Sequence, residues 1–115
     1  MTRINLNGRK FSPAHNSKNG RIKGDSIFAY SQSGDSFSAV YDGEGFTDGH
    51  LIGVFTGLDT ANLVYHCRGP RGELEVGEAT ANITTDDDGC LRIHMDWHWL
   101  NLDQSTGRSQ YKEVK

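Results

Sequence analysis

His94, Asp96 and His98 come nearest to metal chemistry in this chain. They hold alternate positions of the run 91–100, Leu-Arg-Ile-His-Met-Asp-Trp-His-Trp-Leu. Side chains two apart on a strand share a face at about 6.5–7 Å, within reach of one ion. The two histidines, about 13 Å apart along a strand, make a poor pair for one ion. A site would need Asp96 with one of them and a ligand such as His66 from another strand. The opposite parity is apolar: Leu91, Ile93, Met95, Trp97 and Trp99. When that parity faces a core, the His-Asp-His face is solvated, the ordinary state of polar residues opposite a buried face. No metal is expected.

Other reactive groupings read as architecture. Asp86-Asp87-Asp88 lacks the alternating ligands and closing glutamate of a Ca²⁺ loop. Asp88-Gly89 instead suits a type I′ hairpin. His66 and Cys67 are neighbours on a strand, so they leave opposite faces and cannot act as base and nucleophile. Cys90 follows a turn glycine with no activating base nearby in sequence, and no serine lies in a Gly-x-Ser-x-Gly elbow. No residue is assigned a catalytic role, and no cofactor is implied.

The aromatic set is richer. Phe28, Tyr30, Phe37, Tyr41, Phe46, Phe55, Tyr65, Trp97 and Trp99 are spread over most of the chain. In a domain this small such rings suffice to build a core, each burying ~150–250 Å². Tyrosine and tryptophan also suit the wall of a ligand cavity, with apolar bodies and polar tips. Tyr30, Tyr41, Tyr65, Trp97 and Trp99 are the expected lining, with Met95 as an adaptable wall. Arg92 or His50 would neutralise an acidic ligand only by pointing inward; the alternation sets Arg92 opposite Trp97.

These residues sit on strands. The expected strands are 9–12, 27–32, 36–41, 46–55, 62–68, 73–84, 91–100 and 108–113. Between them lie the glycine-bearing turns at 33–35, 42–45, 57–59, 69–72, 86–89 and 103–107, and a loop over 16–25. Pro13 restricts the first strand to an edge or an end. Gly49 and Gly53 predict a bulge, a bend or a close backbone approach, and Gly77 predicts a kink. Fourteen glycines and two prolines fit many tight turns, and the 35% hydrophobic content fits strands with one wet face. Eight strands joined by hairpins form a meander. Closing it removes both edges, and eight strands enclose a space that side chains fill or one small ligand occupies.

The 115 residues make one domain, 1–115, and the net charge of −3 argues against nucleic acid. No apolar run approaches the ~20 residues that span a bilayer. Two cysteines and no signal-like N-terminus give a cytoplasmic expectation.

Gly49-His50-Leu51-Ile52-Gly53, Tyr65-His66, Gly72-Glu73-Leu74 with Gly77, Trp97-x-Trp99 and Asp103-x-Ser105-x-Gly107 together carry a resemblance. From Asn7-Gly8 onward the chain resembles a group of small bacterial calycin-like β-barrel proteins, many named N-acetylglutamate synthase. The expected fold is all-β: a single eight-stranded antiparallel up-and-down barrel of the calycin, lipocalin or streptavidin kind. The expected function is binding of a small molecule in the barrel interior or mouth. The alternatives are an enzyme using the cavity, as the synthase name implies, and an interaction protein with a packed core, for instance a homodimer. A buried His, Asp or Glu converging with a second polar group inside a cavity would favour the enzyme.

Overall fold

A computed structural model describes residues 4–16, 26–43, 46–69, 71–101 and 104–114, with the backbone alone at 15–16, 42–43 and 46–47. The described residues form strands and turns and no helix. The strands are β1 (Lys10–Asn16), β2 (Ile27–Ser33), β3 (Ser36–Gly43), β4 (Phe46–Phe55), β5 (Thr60–Arg68), β6 (Leu74–Thr85), β7 (Leu91–Trp99) and β8 (Thr106–Val114). Each pairs antiparallel with the next, and β8 returns to β1, giving a closed barrel. The up-and-down barrel read from the sequence is the architecture found.

One row of cross-strand partners runs from Lys10 through Ala29, Val40, His50, His66 and Val76 to Leu100. Continued onto β8, it arrives about ten residues from Val114, where Lys10 pairs on the other side. Such a stagger tilts the strands by roughly 35–45° and leaves a lumen that side chains nearly fill.

Inward positions alternate cleanly. Phe37, Ala39 and Tyr41 on β3, Leu63 and Cys67 on β5, Ala79, Ala81 and Ile83 on β6, and the five apolar residues of β7 are buried. The outer wall keeps exposed β-branched residues, among them Val40, Ile52, Val54 and Val64, which suit a pleated surface by their shape.

Glycines and rings are matched across strands. Gly53 lies opposite Phe37, Gly49 opposite Tyr41, Gly77 opposite Tyr65, and Gly107 opposite Trp97. A Cβ on any of these glycines would overlap the facing ring. Gly77 leaves room for Tyr65, and both ladders of β6 run through it without a register shift. The bulge expected in β4 falls between Thr47 and His50, where Asp48 takes φ 55°.

Three further expectations change. At 86–89 only Gly89, at φ 82°, has the left-handed conformation, whereas a type I′ turn needs Asp88 there as well. Asp86 instead exchanges backbone hydrogen bonds with Gly89 and Cys90, closing a wider turn. Pro13 lies inside β1 opposite Tyr111, on a stretch whose pairs with β2 end at Phe11, so its missing N–H interrupts no ladder there. β8 begins at Thr106, because Gly107 belongs to the ladder with Trp97. Most of the loop expected at 16–25, and residues 44–45, 70 and 103 of the expected turns, lie outside the described residues.

One barrel end is stoppered by the segment before β1. Leu6 is fully buried; its N–H donates to Gln32 Oε1 at 2.8 Å, and Gln32 Nε2 donates to the Ile4 carbonyl at 3.2 Å. Gly8 N–H donates to the Tyr30 carbonyl at 3.0 Å. Phe11 fills the space beneath, edge-on to Tyr30 at 5.3 Å.

Candidate lumen site

Toward the other end the lumen keeps a void of about 30 Å³. Aromatic walls come from Phe28, Tyr41, Tyr65, Trp97, Trp99 and Tyr111. Leu51, Leu63, Met95 and Ser109 complete the lining. Four of the five residues expected to line a cavity therefore meet at one place. Tyr30 does not; it is buried near the stoppered end between Phe11 and Phe37. The side chain of Phe46 lies outside the described ones.

Ring geometry fixes the walls. Phe28 stacks on Tyr41 at 4.4 Å and meets Tyr111 edge-on at 5.0 Å. Tyr65 and Trp99 are edge-to-face at 5.1 Å, and Trp97 and Trp99 at 6.3 Å. Such arrangements suit the aromatic quadrupole.

The polar tips divide into two groups. Trp97 Nε1 donates to Ser109 Oγ at 2.7 Å, and Tyr41 OH donates to the His66 carbonyl at 3.2 Å. Tyr65 OH and Trp99 Nε1 are buried with no hydrogen-bond partner among the described residues. Burial pushes the Tyr41 and Tyr65 phenols far above their ordinary value. Burial also raises Tyr111, to about 12, against the lowering effect of its hydrogen bond with Ser109. The phenols are thus neutral donors near neutral pH, and no charged side chain lines the void.

Neither basic candidate reaches the interior. Arg92 pairs with Asp86 at 3.2 Å, and His50 is exposed on the outer wall. The His-Asp-His face is solvated and separately engaged. His94 meets Thr84 Oγ1 at 3.0 Å, Asp96 pairs with Arg108 at 2.9 Å, and His98 lies 3.7 Å from Glu78. His66 stacks on His50 instead, at 5.4 Å. Among the described residues these four do not converge.

Sequence reasoning missed one buried pair. Glu75 is 1% exposed and lies directly opposite Cys67, whose thiol donates to Glu75 Oε1 at 3.8 Å. The parity of Glu75 with Gly77, Ala79 and Ala81 was the available signal. Neither Glu75 nor Cys67 lines the void.

At the β6–β7 turn, ligand atoms of Asp86, Asp88 and Cys90 lie within 4.8 Å of one another. These groups serve the turn: both carboxylates accept from Cys90 N–H, and Lys112 lies 3.7 and 3.3 Å from them. Hydrogen bonding, first with Asp86 and then with Cys90, holds the Asp88 carboxyl well below the usual range.

The family model for avidin-like proteins matches residues 4–114. The chain belongs to the avidin-like family. The match takes in all eight strands and the stopper segment, in agreement with the calycin-like barrel implied by the resemblance. No match is found among curated proteins or among solved structures.

Proposed function

We propose that the lumen binds a small neutral molecule with an apolar body and a hydrogen-bond acceptor. The observation that carries this is the pair of unpartnered groups at the void, Trp99 Nε1 and Tyr65 OH. A buried donor left unpaired costs about 1–3 kcal/mol, which an acceptor placed against it restores. Indole N–H only donates, so the ligand must accept. With no cation in the lining, an anionic group would enter unpaired. Membership of the avidin-like family supports small-molecule binding.

The void of about 30 Å³ admits only a few atoms, so a larger ligand must displace lining side chains, with Trp97 and Trp99 in the wall. Binding should therefore perturb tryptophan emission. The test is a fluorescence and thermal-shift titration against neutral heterocycles, lactones and ketones, with biotin included. Trp99→Phe keeps a ring and deletes the donor, and should weaken a positive ligand by roughly tenfold, the equivalent of ~1.4 kcal/mol. A panel without any response, or equal affinity in Trp99→Phe, would overturn the reading. A cytoplasmic location and a homodimer are proposed alongside it; sedimentation velocity of the full chain decides the second.

A further inference from the structure

We propose that His50 and His66 form a two-imidazole chelate for a borderline divalent ion, Zn²⁺, Ni²⁺ or Cu²⁺, on the outer wall of the barrel. The two residues lie directly opposite each other in the β4–β5 ladder, and both are exposed. Their rings are 5.4 Å apart between centroids, with planes 23° apart. An ion held by two imidazole nitrogens at about 2.0–2.1 Å with a near-tetrahedral angle sets the ring centroids roughly 5 Å apart. The pair already stands near that separation. Chelation requires the two rings to turn one nitrogen each toward a common point.

The backbone beneath is held in place. From His50 to Phe55, β4 pairs residue for residue with β5, from His66 back to Ala61. The flanking residues in the same row are Val40 and Val76, which offer no competing charge. Neither imidazole has a hydrogen bond or ion pair among the described residues, in contrast to His94 and His98. Asp48, two positions before His50, is held by Arg68 at 3.1 Å, so the two imidazoles are the protein ligands proposed. Imidazole donors on an open site select Zn²⁺, Ni²⁺ and Cu²⁺ over the oxygen-seeking Mg²⁺ and Ca²⁺. An ion bridging β4 and β5 in the folded chain alone also stabilises it by mass action.

The experiment uses the untagged full chain, freed of metal with a chelator, and titrates Zn²⁺, Ni²⁺ and Mg²⁺ separately. Melting temperature, histidine ring resonances and sedimentation are followed together. The expected result is an upward melting shift with Zn²⁺ and Ni²⁺ and none with Mg²⁺, with ring shifts confined to His50 and His66. His50→Ala and His66→Ala should each weaken binding by roughly a hundredfold, the scale on which a linked second ligand raises avidity. Both positions are exposed, so circular dichroism should show an intact barrel in each variant. His94→Ala, His98→Ala and Asp86→Asn should leave the titration unchanged. Binding that survives in His50→Ala, that moves with Asp86→Asn, or that saturates at one ion per two chains would overturn the proposal.

Discussion

Tyr41 and Tyr65 line the same void, yet only Tyr41 has a hydrogen-bond partner for its hydroxyl. Removing a paired hydroxyl should therefore cost stability where removing an unpaired one does not. Tyr41→Phe deprives the His66 carbonyl of a donor and should lower stability by about 0.5–1.5 kcal/mol. Tyr65→Phe deletes a buried group without a partner and should leave stability level or raise it; urea unfolding of both variants checks the pair. The phenols also predict a pH dependence. Tyr30, Tyr41, Tyr65 and Tyr111 are all raised above 10.0 in the barrel, first by burial. The unfolded chain releases these protons first as pH rises, so the stabilisation is complete below pH 10.0 and declines from there through about 12 and beyond, where the folded phenols titrate. Unfolding free energy measured from pH 8 to 12 should fall with a steepening slope, and Tyr111→Phe should flatten it. At this scale the sequence was partly legible. Alternation set Trp97 and Trp99 inward, but which polar tips would find partners depends on Ser109 and the His66 carbonyl, which come from other strands.

Strand pairing explains what single residues did not reveal. Gly53, Gly77 and Gly107 look like strand breakers in one dimension, because glycine weakens an isolated strand. Across the ladder each is the space for a ring, of Phe37, Tyr65 and Trp97 respectively. Gly53→Ala and Gly107→Ala should each cost about 1–3 kcal/mol through overpacking. Combining Gly53→Ala with Phe37→Leu should recover part of the loss, and a double-mutant cycle by denaturant melts measures that coupling. The strands themselves were legible from period-two runs and turn glycines, with β4 read end to end as Phe46–Phe55. Register was not. The one-residue slip between Thr47 and His50 decides that His50 faces His66, and no local pattern encodes that count.

The closed barrel makes its two ends unequal. One is sealed by Leu6 and Phe11, both fully buried, while the void lies toward the other, with Tyr65 and Trp99 in its wall. Closure itself was legible, since eight hairpin-linked strands leave two edges that only pairing β1 with β8 removes. The stopper was not, because Ile4-Asn5-Leu6 is too short and too polar to stand out as core. Gln32 makes it part of the fold by tying Leu6 N–H and the Ile4 carbonyl to the end of β2. Leu6→Ala should therefore behave as a core truncation and cost about 2–5 kcal/mol. Gln32→Leu keeps the bulk but strands the buried Leu6 N–H, so it should cost about 1–3 kcal/mol. The two losses should be less than additive, because either one frees the same segment. Amide exchange at Leu6 and Gly8 reads the consequence directly: both amides should exchange faster in Gln32→Leu, while the β6–β7 ladder, on the far side of the barrel, keeps its protection.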